Sequence, residues 1–342
     1  MEDDRMTAAD LEGLYESARA GDEASFAALV EPHRGAIQVH CYRMLGSFHQ
    51  AEDATQETLI RAWRALPSYE ARAPFLHWLY SIATNTCLMM IRAAGRRPRA
   101  VDDLSHLGPY PDRLLDALPN TSLDPAREVE HRESVTLAFI TSLQLLPATQ
   151  RAAVILKDVL AFSSADIATA LNTTTAAVNS SLQRARARLK DAAPTATPHG
   201  LSESDRSVLA RFVDAWQRRD IEGLTALLAE DAILRMPPEP VRFDGPVQIV
   251  EFLSTVPADG RLDLIPLVPT RANGQPALAA YGPHPAEDGA TAYGVMVFHV
   301  AGQQISRITG FADPDLFDGF GLPHRYASLS RRHDDRGPDC PA

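Results

Sequence analysis

Residues 162–189 read FSSADIATALNTTTAAVNSSLQRARARL, and this stretch decides the fold of the middle of the chain. Ser163, followed three residues later by Asp166, is close to a capping box, with Asp in place of the usual Glu, and predicts the start of a short helix. Thr174 is a plausible N-cap for a second helix after a tight turn. The second helix is predicted by a narrow apolar stripe of Val178, Leu182, Ala185 and Leu189. The stretch therefore predicts a helix-turn-helix.

The opposite side of the second helix carries a polar face suited to a DNA major groove. Small residues let the backbone approach the groove, amides and guanidinium groups can read base edges, and further arginines reach phosphates. The candidate contacts are Thr174, Thr175, Ala176, Asn179, Ser180, Gln183, Arg184, Arg186 and Arg188. Alone, this stretch leaves open a generic helical hairpin with a solvated basic face.

Neighbouring sequence favours the DNA-binding interpretation. The runs LPATQR at 146–151, DIA at 166–168 and VNSSLQRARARL at 178–189 strongly resemble region four of bacterial RNA polymerase sigma factors. The closest group is the extracytoplasmic-function (ECF) type. The resemblance implies that this module binds the minus-thirty-five promoter element and the flap of the polymerase β subunit.

A second candidate surface lies on a helix predicted over residues 51–66. Its apolar arc faces inward, while the other face aligns charged side chains with an aliphatic residue, Ile60, stranded among them, which indicates a contact surface. The run AEDATQETLIRAW at 51–63 resembles sigma region two, which docks on the coiled coil of the polymerase β′ subunit. The resemblance implies that the core-polymerase contacts are Asp53, Gln56, Glu57, Ile60 and Arg64.

The next predicted helix, residues 75–92, places an aromatic beside an amide and a hydroxyl, with arginines downstream. Such a face can hold a separated DNA strand by stacking and by phosphate contacts. The run WLYSIATN at 78–85 resembles the family segment that recognises and melts the minus-ten element, although the family often has arginines where this chain has Ser81 and Thr84. With the preceding loop 67–74, where related factors capture an extruded base, the minus-ten candidates are Tyr69, Arg72, Trp78, Ser81, Asn85, Arg92, Arg96 and Arg97.

Breaks in pattern predict a multidomain chain with two all-α modules followed by an α+β domain. Proline-rich stretches mark two linkers. The predicted units are a region 2 helical module (1–100), a linker (101–132), a region 4 helix-turn-helix module (133–192), a linker (193–202), an α+β domain (203–325) and a flexible tail (326–342).

The C-terminal domain is predicted from two helices, 205–219 and 221–228, followed mostly by strand-like runs. These runs are 232–236, 262–268, 277–281, 291–300 and 304–311, the last two forming a hairpin, with a helix near 246–253. The pattern predicts a curved antiparallel sheet. The element order resembles cone-shaped SnoaL-like domains of the nuclear-transport-factor-2-like superfamily, and the run RITGFADPDLF at 307–317 resembles the end of sigma factors that carry one.

Some relatives of that fold use an acid or base in the cavity. The candidates here are Asp231, Asp244, His284, His299 and Asp313, but they form no compact signature. We therefore expect no catalysis, and a regulatory role exerted through packing on the sigma modules, a small-molecule ligand or a regulatory protein. The alternatives are a DNA reader fused to an isomerase, cyclase or hydrolase-like enzyme, and a conventional helix-turn-helix repressor, which needs no polymerase-docking helix.

Composition and charge set the remaining expectations. The 342 residues carry a net charge of −11, of which −7 lies in residues 201–342. Most of the acidic excess is therefore in the C-terminal part of the chain and not in the helical modules. No apolar run approaches the roughly 18 residues of a membrane span, and the acidic N-terminus is no signal peptide, so a cytoplasmic location is expected. Cys41, Cys87 and Cys340 predict neither a disulfide framework nor a zinc site, and no cofactor is expected.

Overall fold

The computed structural model describes residues 8–70, 74–95, 106–118, 134–192, 202–283 and 289–326. The first two stretches form the N-terminal module. Its helices are α1 (Ala8–Arg19), α2 (Glu23–Leu45), α3 (Phe48–Ala65) and α4 (Phe75–Ala93). Ser47 caps α3, because its side chain accepts a hydrogen bond from the Gln50 amide.

Residues 134–192 form the middle module. Its helices are α6 (Leu137–Gln144), α7 (Ala148–Val154, continued by a π-helical turn over Ile155–Val159), α8 (Ser164–Ala170) and α9 (Thr175–Ala192). The predicted capping box of Ser163 and Asp166 is present, and the Thr174 hydroxyl accepts a hydrogen bond from the Ala177 amide. Val178, Leu182 and Ala185 are buried, which confirms the apolar stripe of the second helix. The predicted helix-turn-helix is therefore formed.

Residues 202–326 form the C-terminal domain, which is α+β as the sequence predicts. Its helices are α10 (Glu203–Arg218), α11 (Ile221–Leu227), α12 (Gly245–Thr255) and α13 (Leu316–Phe320). Its strands are β1 (Leu228–Arg235), β2 (Arg242–Asp244), β3 (Leu267–Ala272), β4 (Gln275–Pro283), β5 (Ala290–Ala301), β6 (Gln304–Phe311) and β7 (Arg325–Tyr326).

The strand order is β2-β1-β6-β5-β4-β3, with β7 paired to β5. The prediction of a purely antiparallel sheet is wrong, because β1 and β6 pair in parallel. The predicted strand 262–268 is also wrong in its first half: Leu262–Leu264 form a 3-10 turn, and β3 begins at Leu267. The β5–β6 hairpin, with Ala301 opposite Gln304, is confirmed.

The sheet separates two hydrophobic cores. One face packs on α10–α12, where Phe212, Trp216 and Phe298 are buried. The other face, with Ala277, Tyr281, Val295, Val297 and Phe311, belongs to the same apolar cluster as the helical modules. Because successive strand residues point to opposite sides, alternate residues of β4 and β5 serve the two cores. The C-terminal domain is thus built onto the helical modules.

The part of the predicted linker that the structure describes, residues 106–118, lies between the N-terminal module and the C-terminal domain. We call it the linker segment; it contains a short helix, α5 (Asp112–Asp116). Tyr110 is fully buried, with its ring 4.9 Å from that of Tyr42 in α2 and 5.7 Å from that of Phe48 in α3. Its backbone amide donates to Asn273 Oδ1 at 2.8 Å. Extended at its start and helical in α5, the linker segment is an ordered part of the core.

The middle module also packs on the N-terminal module. The buried Arg43 of α2 donates to Ser134 Oγ at 2.6 Å, and the buried Arg151 of α7 donates to the Met44 carbonyl. Burial lowers the pKa of Arg43 to about 10. Phe162 stacks on His77 of α4 with ring centroids 4.1 Å apart. The N-terminal and middle modules are therefore in direct contact with each other, and we call this the closed arrangement.

Candidate functional site

The outward face of α3 carries the predicted polymerase-docking residues. Asp53, Gln56 and Arg64 are exposed, Glu57 is half-buried, and Ile60 is 45% exposed although it is aliphatic. Ala51 and Ala62, on the opposite side, are fully buried. The α3 periodicity therefore places all five candidates on one accessible surface.

Two neighbours of that surface are not among the predicted residues. Arg61 forms an ion pair with Glu57 at 2.5 Å, and its Nη1 contacts Met89 Sδ of α4 at 3.4 Å. Met89 is 37% exposed and adds a second apolar side chain near the docking surface. The i, i+4 spacing of Glu57 and Arg61 was a usable signal for the ion pair, whereas the approach of α4 to α3 was not readable from sequence.

The aromatic candidates of the minus-ten face are packed against the protein. Tyr69 is 9% exposed, and its ring centroid lies 4.9 Å from that of Trp78, which in turn lies 5.4 Å from Phe75. Trp78 is half-buried. The expectation that Tyr69 is available to a base in the loop therefore differs from the structure, because an aromatic cluster that also includes Tyr15 encloses its ring.

Of the polar candidates on α4, Asn85 contacts the middle module. Ser81 is half-buried, and its hydroxyl donates to the His77 carbonyl. Asn85 donates through Nδ2 to the Ala170 carbonyl at the end of α8, at 3.0 Å, and to the Ser81 carbonyl at 2.9 Å. Arg92 is exposed, whereas Arg72, Arg96 and Arg97 lie outside the described residues.

The predicted minus-thirty-five face on α9 is accessible. Ser180 is half-buried, and the exposed candidates are Thr174, Thr175, Ala176, Asn179, Gln183, Arg184, Arg186 and Arg188. Arg184 donates to Ser180 Oγ at 2.7 Å. Arg186 forms a bidentate ion pair with Asp158, which raises the pKa of its guanidinium through the hydrogen bond and the charge. That pair is solvent-exposed and therefore weak enough for a phosphate to compete with Asp158.

The acid and base candidates of the C-terminal domain are not brought together. Asp313 Oδ2 lies 3.0 Å from His49 Nε2 of α3. Asp244 forms an ion pair with Arg242 at 2.7 Å. His299 Nδ1 lies 2.8 Å from Ser306 Oγ. Burial, and then Arg307, lower the pKa of His299. Asp231 is exposed on β1, and His284 lies outside the described residues.

Two fully buried polar residues, His40 and Asn273, were not singled out from the sequence. His40 of α2 is fully buried with Nε2 2.8 Å from Thr84 Oγ1, and desolvation followed by Arg43 lowers its pKa to about 3. Asn273, at the β3–β4 turn with φ of 58°, is also fully buried. Its Nδ2 donates to Tyr42 Oη at 2.7 Å and to the Val135 carbonyl at 2.6 Å. The Asn273-Gly274 pair was readable as a tight turn, but its partners were not.

Within the described part of the chain, none of the helices combines the length and the hydrophobicity that a membrane span requires. Nor do the described residues contain a group of three or more His, Cys, Asp or Glu side chains that could hold a metal ion.

Comparison with known proteins assigns each part of the architecture. The Sigma-70 region 2 family matches residues 29–97, the Sigma-70 region 4 family matches residues 136–189, and the SnoaL-like domain family matches residues 209–308. Two helical sigma modules followed by a SnoaL-like domain define a transcription initiation factor that binds core RNA polymerase and promoter DNA.

Full-length similarity identifies the group. The ECF RNA polymerase sigma factor SigG of Mycobacterium tuberculosis (strain ATCC 25618 / H37Rv) is 39% identical over 328 residues, covering 89% of this chain and 85% of SigG. SigE of Mycolicibacterium smegmatis is 33% identical over 175 residues, covering 50% of this chain and 63% of SigE. The chain belongs to the ECF RNA polymerase sigma factors, and it directs promoter-specific transcription initiation.

A solved structure has the same fold. The crystal structure of the M. tuberculosis extracytoplasmic function sigma factor SigJ matches with a TM-score of 0.58 and 22% identity, covering 87% of this chain and 100% of SigJ.

Proposed function

We propose that the C-terminal domain regulates promoter engagement by holding the two sigma modules of the free chain in the closed arrangement. The observation that carries the proposal is the burial of the linker segment. Tyr110 is enclosed by Tyr42 and Phe48 on one side and by Asn273 on the other. Arg113 adds two hydrogen bonds to carbonyls of α13, from Nε to Gly319 and from Nη2 to Asp318.

In the closed arrangement the two proposed DNA-binding faces have different contacts with the rest of the chain. Asn85, in the proposed minus-ten face, is hydrogen-bonded to the middle module, and Phe162 covers His77 beside it. Gln183 and Arg184 of the proposed minus-thirty-five face are exposed. We infer that the free chain presents its minus-thirty-five face, while the middle module contacts its minus-ten face at Asn85, which is itself still exposed.

Simultaneous binding of both promoter elements requires the modules to separate. The element names imply a spacing of about 25 base pairs, or roughly 85 Å along B-DNA. With the linker segment clamped, only residues 119–133 remain as a tether, which spans roughly 50 Å when fully extended. Release of the whole stretch 96–133 gives roughly 125 Å. Release of the linker segment therefore lengthens the tether beyond the roughly 85 Å between the two promoter elements, which the clamped tether is too short to span.

We propose that binding of core polymerase separates the two sigma modules of the closed arrangement. The α3 surface of Asp53, Gln56 and Glu57 is accessible in the closed arrangement, so docking on the β′ coiled coil needs no prior opening. Carboxylates there would meet basic groups of the partner and give orientation and association rate more than affinity. Binding of the middle module to the β flap would then favour the separated state, because a partner shifts an equilibrium only by binding one state better.

The C-terminal domain is proposed to act without catalysis. The sheet face toward α10–α12 is filled by buried apolar side chains, including Leu278, Phe298 and Ile308. The described acid and base candidates have separate partners on separate elements. A small-molecule ligand or a regulatory protein at this domain would act by shifting the clamp. Turnover of a substrate by the purified full chain would support the alternative of a tethered isomerase or hydrolase-like enzyme.

The test is in vitro transcription with limiting core polymerase on a promoter identified by mapping transcription start sites. Arg113→Ala combined with Arg271→Ala removes the contacts to α13 and the ion pairs of Arg271 with Asp112 and Asp116. We expect several-fold more transcript than from the wild type. Arg218→Ala, which breaks an exposed pair with Asp214 within α10, is the matched control and should change nothing. Unchanged transcript from a folded double variant would contradict the clamp.

Point variants are preferable to truncation. Residues 203–342 include a sheet face that shares its core with Phe48 and Tyr42, so their removal would expose buried apolar surface of the N-terminal module. Any change of activity in the truncated chain would then mix loss of the clamp with loss of stability.

A further inference from the structure

A row of exposed side chains along α9 is held by neighbours in the same module. Asn179, Gln183 and Arg186 follow one another at steps of four and three residues, so they lie along one side of the helix. At one end of the row, Ser164 Oγ donates to Asn179 Oδ1 at 3.1 Å. At the other end, Arg186 donates from Nε and Nη2 to the two carboxylate oxygens of Asp158. The row is therefore held by a neutral group at one end and by a carboxylate at the other.

Asp158 reaches Arg186 from an irregular part of the neighbouring helix. The continuation of α7 over Ile155–Val159 is π-helical, and the Leu160 amide closes it on the Ile155 carbonyl at 3.0 Å. Such turns are rare and occur frequently at functional sites. The irregular turn thus carries the carboxylate that pairs with the proposed minus-thirty-five face.

Stability gives little reason for this ion pair. The side chains of Arg186 and Asp158 are 56% and 37% exposed. Ion pairs with this exposure contribute little to the free energy of unfolding, because water screens them. The middle module is otherwise basic, since residues 134–192 contain six basic side chains and three carboxylates. A carboxylate paired with an arginine of the proposed DNA surface opposes phosphate binding there, and such opposition is one way to obtain selectivity.

Asp158 offers Arg186 the chemistry that a DNA phosphate offers. Carboxylates and phosphates both present a guanidinium with two oxygens for bidentate hydrogen bonds. A promoter bound in full register holds a phosphate at a fixed position beside the helix, whereas random DNA is bound by charge without a fixed register. We propose that Asp158 is a specificity-determining residue, which keeps Arg186 away from random DNA and releases it to a phosphate of the promoter.

This inference deepens the proposed minus-thirty-five face and rests on it. With random DNA, Arg186 stays paired with Asp158 and neutralises no phosphate. With the promoter, Arg186 leaves Asp158 and neutralises one. The number of neutralised phosphates is measured by the slope of log affinity against log salt concentration, about 0.9 for each phosphate. Arg186 therefore contributes to the promoter slope and not to the slope for random DNA.

The test is binding of the holoenzyme, reconstituted with core polymerase, to a duplex with the minus-thirty-five element and to a shuffled duplex of equal length. Core polymerase is common to all samples, so differences between variants report on the exchanged side chain. In Asp158→Asn the slope for the shuffled duplex should steepen by about 0.9, while the promoter slope stays unchanged. Over a tenfold fall in salt concentration, the ratio of variant to wild-type affinity for the shuffled duplex should rise about eightfold.

Three further variants are controls. Asp166→Asn removes the same charge from the helix-turn-helix, but Asp166 is bonded to Ser163 in the capping box and not to an arginine, so both slopes should stay unchanged. Asp158→Glu keeps the carboxylate and should retain the shallow slope for the shuffled duplex. In an Arg186→Ala background, Asp158→Asn should change neither slope, because no arginine remains to be released.

Two results would overturn the proposal on the Asp158→Asn variant alone. One is an unchanged slope for the shuffled duplex. The other is a shallower promoter slope, because Asp158 would then only orient Arg186 for its phosphate. Equal steepening in the Arg186→Ala background would also overturn it, since the effect would belong to the charge of Asp158 and not to Arg186.

Arg186→Ala by itself separates this inference from the proposed minus-thirty-five face. If its promoter slope equals that of the wild type, Arg186 contacts no phosphate and the proposed face is wrong at this residue. If its promoter slope is shallower but Asp158→Asn leaves the slope for the shuffled duplex unchanged, only the present inference fails.

Discussion

Asn273→Ala is the sharpest test of how the three parts of the chain are joined. The Asn273 side chain accepts from the Tyr110 amide at 2.8 Å and donates to Tyr42 Oη at 2.7 Å and to the Val135 carbonyl at 2.6 Å. Those partners belong to the linker segment, the N-terminal module and the start of the middle module. One substitution therefore removes a polar link to all three.

The expected magnitude follows from the groups left behind. Tyr42 Oη keeps a second partner, because it also donates to the Gly108 carbonyl at 2.9 Å. The Tyr110 amide and the Val135 carbonyl lose their hydrogen bonds to this side chain, at about 1 to 3 kcal/mol each for a buried group. A loss of about 2 to 6 kcal/mol for the two groups together shifts the closed equilibrium roughly 30- to 25,000-fold. Alanine at φ of 58° adds about 1 kcal/mol of backbone strain.

The assay is hydrogen–deuterium exchange resolved at the Tyr110 amide. Its exchange should accelerate in Asn273→Ala by the factor above, and promoter-dependent transcription should rise. Asn273→Gly is the matched control for strain, because glycine tolerates the positive φ but lacks the side chain. Fast exchange in both variants supports the reasoning. Unchanged protection of Tyr110 in Asn273→Ala would refute it, and normal protection in Asn273→Gly alone would assign the effect to the backbone.

Three further predictions address the other surfaces and the core. Asp53→Arg with Glu57→Arg should lower affinity for core polymerase at least tenfold, whereas loss of the Glu57–Arg61 pair should lower stability by only about 0.5 kcal/mol, as for an i, i+4 pair at a helix surface; normal retention in a polymerase pull-down would contradict it. Arg184→Ala and Arg186→Ala should each lower the salt slope of promoter binding by about one, since each removes one phosphate contact; an unchanged slope would move the DNA surface elsewhere. His40 binds a proton more readily when unfolded, since its folded pKa is lowered to about 3, so stability should fall below pH 6.5, by about 2 kcal/mol at pH 5. In urea titrations His40→Gln should lose that part of the acid sensitivity, and an identical pH profile would show that His40 is not its source.

Local patterns were readable wherever neighbouring residues decide the structure. The capping box at Ser163, the stripe that begins at Val178 and the hairpin at Gly302 depend on contacts within a few residues, and each is present. The outward face of α3 was also predictable, because the two-residue step from the buried Ala51 to Asp53 is about half a helical turn and places them on opposite sides. The predictions were wrong where contacts with distant segments determine the structure. β1 pairs in parallel with a strand more than 70 residues away. Leu262 belongs to a 3-10 turn that packs against α10.

Sequence alone determined the kind of protein, because the helix-turn-helix, the docking helix and the C-terminal strands carry their signals in short runs of residues. Only the tertiary structure decided how the modules are disposed toward one another. Tyr110 and Asn273 belong to segments 163 residues apart, and Asn85 and Ala170 to segments 85 residues apart, yet each pair is hydrogen-bonded. Such contacts arise from packing of complete surfaces, since no residue's local preference encodes which distant backbone group will satisfy a buried amide.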